Sequence, residues 1–187
     1  MYKVDFFFKS LLVVLNGIIK VISQKGNFIH IWIDKADLDL FLGYIINSSY
    51  FKMDQLIDLF CIDYLNKDSD FRFELIYNLV SFYYNYRISI RVFLFLYDTI
   101  KSVNSFFNSS NWLEREIWDM YGVFFFEHND LRRILTDYGF LGHPLRKDFP
   151  LQGFIELSFD DYFKIIKLDF VELTQDYRVF SLKDLVW

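Results

Sequence analysis

The sequence predicts an α+β fold: a two-layer domain with a mixed, largely antiparallel sheet and flanking helices, followed by an extended C-terminal docking segment. Three observations carry this. Three strand-length runs alternate apolar and polar residues across short turns and read as antiparallel neighbours. Helix-period segments flank them at Leu38–Ile46 and Asn111–Gly122. The stretch Asn111–Gly153 holds both prolines and four of the seven glycines, so its second half is neither a long helix nor a strand. With 187 residues, 53% of them hydrophobic, and no linker composition, the chain suits one domain with a sizeable core. We place an α+β core at 1–110 and a signature helix with an extended partner-binding segment at 111–187.

The elements follow in order. Phe7, Leu11, Val14, Leu15, Ile18 and Ile22 share one helical face, which predicts a helix over Phe6–Ile22 lying against the core or a partner. Phe28–Ile33 is a short strand, and Asp34 or Asp37 caps a helix whose apolar positions are Leu38, Phe41, Leu42, Ile45 and Ile46. The strand Leu56–Tyr64 places Leu56, Phe60, Ile62 and Tyr64 on one face and holds the single cysteine, Cys61, as a buried residue. Phe71–Val80 alternates Phe71, Phe73, Leu75, Tyr77 and Leu79. Tyr86–Leu96 alternates Ile88, Ile90, Val92 and Leu94 against Arg87, Ser89 and Arg91. Asn111 with Glu114 reads as a capping box, Leu113, Ile117 and Met120 as its apolar face, and Gly122 as its C-terminal stop. Phe154–Phe159 and Phe170–Leu173 read as short strands whose pairing the sequence leaves open.

Composition excludes several functions. The net charge is −5, and the first arginine is Arg72, so no broad basic face is offered to a phosphate backbone. One cysteine cannot supply an iron–sulfur cluster, which takes four protein ligands. Lys9 and Lys20 bound an uncharged stretch far shorter than the ~20 residues of a membrane span. Asp5 and the lack of early arginines make a poor transit peptide, so a mitochondrial location implies synthesis inside the organelle. The abundance of Phe, Tyr, Ile, Asn and Lys suits an A/T-rich, organellar genome.

The charged residues of 111–153 are the candidate functional groups. Glu114, Glu116 and Asp119 invite an acid–base reading, yet Arg115 and Asp119 lie four apart, as an intrahelical pair, and Glu114 and Glu116 point roughly 200° apart. Structural or interface ion pairing is the better reading. His128 and His143 have no metal-ligand spacing. Beyond the helix, Leu131, Ile134, Leu135, Phe140, Leu145, Phe149 and Leu151 alternate irregularly with Arg132, Arg133, Asp137, Arg146, Lys147 and Asp148. Such a ribbon is either folded back on its own domain or docked on another protein. In the second case arginine forks pair with partner carboxylates, and Trp118, Phe140 and Phe149 are the desolvated anchors.

At these residues the chain resembles a known family. Glu114-Arg115-Glu116, Asp119, Met120-Tyr121, His128, Arg132 and Ile134-Leu135 match one family signature. Leu135 to Gly153, including Thr136-Asp137-Tyr138-Gly139-Phe140 and Gly142-His143-Pro144-Leu145-Arg146-Lys147-Asp148-Phe149-Pro150, matches a second block. The chain is identified as similar to the thirty-kilodalton core subunit, also known as subunit 9, of proton-pumping NADH:ubiquinone oxidoreductase, respiratory complex I. Glu127 stands where that family commonly has glycine, and Asn129 where it usually has proline.

The resemblance implies a non-catalytic structural subunit of the peripheral arm, on the matrix side of the mitochondrial inner membrane. Its partner interface comprises Glu114, Arg115, Glu116, Trp118, Asp119, His128, Arg132, Arg133, Phe140, His143, Pro144, Arg146, Lys147, Asp148 and Phe149. The implied partners are the quinone-cavity and terminal-cluster subunits, and the iron–sulfur clusters, FMN and ubiquinone belong to neighbouring subunits rather than to this chain. Two other readings stand beside it: a free-standing enzyme using Glu114, Asp119 and His128, and a membrane-surface adaptor working through Phe6–Ile22.

Overall fold

A computed structural model describes residues 17–25, 28–65 and 70–178. Their packing divides into two compact units, Met1–Asp148 and Phe149–Trp187. The signature helix and most of the ribbon after it therefore share a unit with the sheet.

In the first unit β1 (Ile19–Lys25), β2 (Phe28–Ile33), β3 (Gln55–Asp63), β4 (Phe73–Ser81) and β5 (Tyr86–Leu94) form one sheet in the order β1-β2-β5-β4-β3. β2 and β5 run parallel, and the other pairs are antiparallel. The mixed, largely antiparallel sheet is as the sequence predicts. The meander β3-β4-β5 is there too, its second turn closed by Asn85 at φ 53°, a left-handed backbone that Asn tolerates well. One sheet face is built from Ile29, Ile31 and Ile33, from Leu75, Tyr77 and Leu79, and from Ile88, Ile90, Val92 and Leu94. All are buried in one cluster with Leu38, Phe41, Leu42 and Ile45 of α1 (Leu38–Asn47).

The start of the chain departs from expectation. Residues 6–16 of the predicted first helix lie outside the described residues, but its end, from Ile19, is strand β1 paired with β2. Ile18 and Ile22, four apart, satisfy a helix face and also one side of a strand, so spacing alone does not choose between them. The hydrogen-bonding edge of β2 does.

β3 departs in register. Its buried residues are Leu56, then Leu59, Cys61 and Asp63, not Phe60 and Ile62. A bulge between Leu56 and Asp58 inserts an extra residue into the ladder with β4 and flips every later side chain to the opposite face.

A second, parallel ladder joins β6 (Thr99–Lys101) to β7 (Phe124–Phe126), with Ile100 and Phe125 buried. Between them lies α2 (Ser110–Tyr121), packed against β3. Its start is not the expected capping box: Ser109 is the cap residue, and Glu114 turns inward instead. Its end is as expected, with Gly122 left-handed at φ 75° and its N–H donating to Ile117 O and Trp118 O.

The second unit contains an antiparallel hairpin of β8 (Ile155–Asp160) and β9 (Ile165–Phe170). The strand expected at Phe170–Leu173 ends where it was expected to begin. The Asp160 carboxylate accepts the N–H groups of Tyr162 and Phe163, and Lys164 takes φ 55°, which sets a turn before the chain returns as β9.

The β3 register gives a direct check. Leu59→Ala should destabilise the chain by about 2–5 kcal/mol in denaturant unfolding. Phe60→Ala, at the position that strict alternation from Leu56 would bury, should cost well below that.

Candidate functional site

α2 holds the ribbon that follows β7 from one side. The Asp119 side chain is fully shielded, and one of its oxygens accepts the backbone N–H groups of Ile134 (3.1 Å), Leu135 (2.8 Å) and Thr136 (3.0 Å). The other accepts the Thr136 hydroxyl at 2.7 Å. Burial alone would raise the Asp119 pKa, but these four donors outweigh it and hold the carboxyl below its ordinary value. Four residues earlier, Arg115 Nε donates to Arg132 O at 3.0 Å. In place of the expected Arg115–Asp119 pair, each of the two side chains bonds the ribbon on its own. The backbone N–H groups of 134–136 have no ladder to join, and an ionised carboxylate, an acceptor-only group with about four lone-pair sites, suits several donors at once.

Glu114 also points inward. It accepts the Ser102 hydroxyl at 2.6 Å and Val103 N–H at 2.7 Å, bracing the segment after β6. His128, just past β7, brings Nε2 to 3.8 Å from Glu114, with both side chains fully shielded. Burial pushes the Glu114 pKa up to about 7 against the hydrogen bonds from Ser102, Val103 and Ser110. Glu127 takes φ 61°, a left-handed backbone that strains a side chain such as glutamate and that glycine adopts freely.

The second half of the ribbon caps the C-terminus of α2, whose last carbonyls have no partner within the helix. His143 Nδ1 lies 3.0 Å from Asp119 O, Leu145 N–H donates to Met120 O at 3.1 Å, and Arg146 Nε donates to Tyr121 O. A Cβ on Gly122 would displace the His143 ring and the Arg146 guanidinium from the helix end, besides straining φ. Arg146 lies over the Phe73 ring, and Trp118 stands edge-on to Phe124 and His143. Arg133 donates to Gly142 O at 2.8 Å and stands 3.5 Å from Asp119. Further on, Lys147 N–H donates to Asp63, which Arg72 also grips, and Arg72 reaches Asp148 at 3.0 Å. Burial would raise the Asp63 pKa, but Arg72 and two backbone N–H groups draw it down.

Most of the charged signature residues thus face their own domain. Arg132 is exposed and pairs with Asp130, and Glu116, Phe140 and Pro144 are partly exposed. The ribbon also turns apolar side chains outward, among exposed charges such as Asp137, Lys147 and Asp148: Leu135, Tyr138, Leu141 and Leu145 are all more than half exposed. The sequence places Leu135 and Leu145 in the ribbon's irregular apolar set, but the expected anchors are Trp118, Phe140 and Phe149 rather than these four. Their signal was being apolar inside a segment too irregular to bury everything it carries.

In the second unit Phe149 packs edge-on to Phe154. The hairpin has two unlike faces. Cross-strand pairs Ile155–Phe170, Leu157–Leu168 and Phe159–Ile166 make one side wholly apolar, each residue between 43% and 82% exposed. The other side carries Glu156, Ser158, Lys167 and Asp169, with Ser158 donating to Asp169 at 2.7 Å and Lys167 pairing with it.

Burial drives the Cys61 thiol pKa up, so the free thiol stays protonated and unreactive.

The class that fold and site define is a two-layer α+β platform whose signature helix clamps a non-periodic ribbon along one edge. Residues 31–155 match the family model described as "Respiratory-chain NADH dehydrogenase, 30 Kd subunit". The chain is 44% identical to NADH-ubiquinone oxidoreductase subunit 9 of Acanthamoeba castellanii, over 94% of this chain and 84% of that one. It is 41% identical to the protein of the same name from Prototheca wickerhamii, over 95% and 91%. With NADH dehydrogenase [ubiquinone] iron-sulfur protein 3 of Solanum tuberosum it shares 49% over 71% and 69%. Two solved structures share the fold at lower identity. One is the trypsin-resistant fragment (1-134) of Nqo5, with TM-score 0.57 and 22% identity over 69% of this chain and 99% of that one. The other is a chain of the membrane-bound sulfane sulfur reductase, an archaeal respiratory membrane complex, with TM-score 0.67 and 18% identity over 80% and 86%. The chain belongs to the 30 kDa-subunit family of respiratory-chain NADH dehydrogenase.

Two substitutions test the clamp. Asp119→Ala leaves three ribbon N–H groups without their acceptor and should cost about 2–4 kcal/mol at neutral pH, with earlier proteolysis within 130–145. A depressed carboxyl pKa stabilises the fold above its unfolded value and loses that stabilisation as pH falls. The gap between variant and parent should therefore narrow below about pH 4, read by unfolding across pH. Glu127→Gly relieves the left-handed strain, partly offset by added chain entropy, and should raise stability by about 0.5 kcal/mol in the same assay.

Proposed function

We propose that this chain is a structural subunit of the peripheral arm of proton-pumping NADH:ubiquinone oxidoreductase, on the matrix side of the mitochondrial inner membrane. It holds the quinone-proximal subunits in place and contributes no catalytic residue. The quinone-cavity and terminal-cluster subunits are its partners, and FMN, the iron–sulfur clusters and ubiquinone sit in neighbouring chains.

The observation that carries this reading is the division of labour in the ribbon. Its charged signature residues mostly lock it to α2 and β3, and Leu135, Tyr138, Leu141 and Leu145 are left exposed, which we read as an apolar ridge. A held backbone presenting apolar knobs docks with little ordering cost. The hairpin of the second unit supports the same reading. A lone two-stranded hairpin is marginal in water, and a wholly apolar face with a polar reverse marks a surface to be covered. The enzyme reading loses its support, because Glu114 and Asp119 are sealed and the His128 side chain is shielded with them, so no substrate reaches the group. Among the described residues no helix is long and apolar enough to cross a membrane.

The test pairs ridge and hairpin variants in the organelle. Tyr138→Ala with Leu141→Ser, and separately Leu157→Ser with Leu168→Ser, should leave the stability of the isolated chain within about 0.5 kcal/mol of the parent. Each should lower the amount of the large NADH-oxidising particle on native gels several-fold, while turnover per assembled particle stays unchanged. Full assembly with reduced turnover per particle would overturn the scaffolding role.

A further inference from the structure

None of the described residues from Leu151 to Arg178 is buried. The six residues on the apolar face of the hairpin, with Phe154 before it and Leu173 after it, are each at least 42% exposed. Burial of apolar surface is what offsets the entropy of ordering a chain, so a unit that buries no side chain has no interior to hold it. The first unit is the opposite case, with Leu75 and Leu79 of β4 and Ile88 and Ile90 of β5 fully buried.

What the hairpin does possess is local. β8 and β9 form a ladder of six pairs, Ser158 donates to Asp169, and Asp160 closes the turn by accepting the N–H groups of Tyr162 and Phe163. These fix its register and which side is apolar. They do not make two strands stable in water, which takes a third strand or a packed face.

The charges around the apolar face are one-sided. Residues 154–176 carry six carboxylates and two ammonium groups. Both ammonium groups are already paired, Lys164 with Asp161 and Lys167 with Asp169. Glu156, Asp160, Glu172 and Asp176 are left without a cation among the described residues.

We infer that residues 154–173 fold as they dock: the hairpin is a minor population of the free chain and closes against a surface that is apolar at its centre and cationic around it. The inference rests on the subunit reading for the partner, a sister chain of the assembly. It adds that the second unit acquires its order from that chain, whereas the first unit brings its own. The arm is therefore open to proteases while the chain is free, with Lys164 and Lys167 both exposed, and sealed once the chain is assembled.

Amide hydrogen exchange on the full chain, free and within the purified NADH-oxidising particle, reads both states. In the free chain the ladder amides of β8 and β9 should be protected less than about tenfold, against about a thousandfold or more for those of β4 and β5. In the particle the hairpin amides should gain at least about a hundredfold. Stronger hairpin protection in the free chain overturns the inference and leaves the subunit reading standing, and a smaller gain in the particle also overturns it. A chain that does not enter the particle overturns the subunit reading, and the inference with it. Glu156→Lys with Glu172→Lys should leave the stability of the free chain unchanged and lower the amount of particle several-fold. An undiminished amount overturns the cationic surface.

Discussion

A single carboxylate, Asp119, makes the rest of the signature region possible. The ribbon after β7 has no regular ladder, and its backbone donors at 134–136 would be costly to shield from water unpaired. Asp119 gathers all three with the Thr136 hydroxyl, from a position near the end of a helix that is itself packed on β3. Once that point is held, the chain returns at 143–146 to meet the open carbonyls of the same helix. Ribbon and helix end satisfy each other, and Gly122 is the residue small enough to let them approach.

This arrangement changes what the charged residues of the family signature mean. In isolation, an arginine-rich, proline-punctuated stretch suggests forks reaching for a partner's carboxylates. In the fold, Arg115, Arg133 and Arg146 all donate to carbonyls of their own chain, and Arg72 joins β3 to the end of the ribbon. Charge here serves shape. The exposed aliphatic and aromatic side chains of the ribbon take their position from that shape, although the stretch has no regular secondary structure of its own.

The two buried carboxylates of α2 differ in kind, although they are five residues apart on one helix. At Asp119 four donors outweigh burial and hold the carboxyl below its ordinary pKa; at Glu114 burial outweighs the hydrogen bonds from Ser102, Val103 and Ser110 and pushes the pKa up. The same residue class therefore braces the ribbon from Asp119 and the segment after β6 from Glu114.

Much was legible from residue order alone. The class of fold, the meander of three strands, the helix Leu38–Asn47 and the stop at Gly122 follow from periodicity and from the few residues that tolerate a left-handed backbone. Family membership was legible from the matched blocks. The errors have a common origin in long-range pairing. Ile18 and Ile22 fit two periods until β2 supplies an edge, Phe60 loses its place to Leu59 through a one-residue bulge, and the short ladder of Thr99–Lys101 with Phe124–Phe126 joins strands more than 20 residues apart. Local pattern determined which segments are helix and strand because side-chain period is a property of neighbours in sequence. The partners of Asp119, Glu114 and Arg146 were decided by the tertiary structure alone, since a buried carboxylate or guanidinium takes whatever donor or acceptor the folded backbone brings to it.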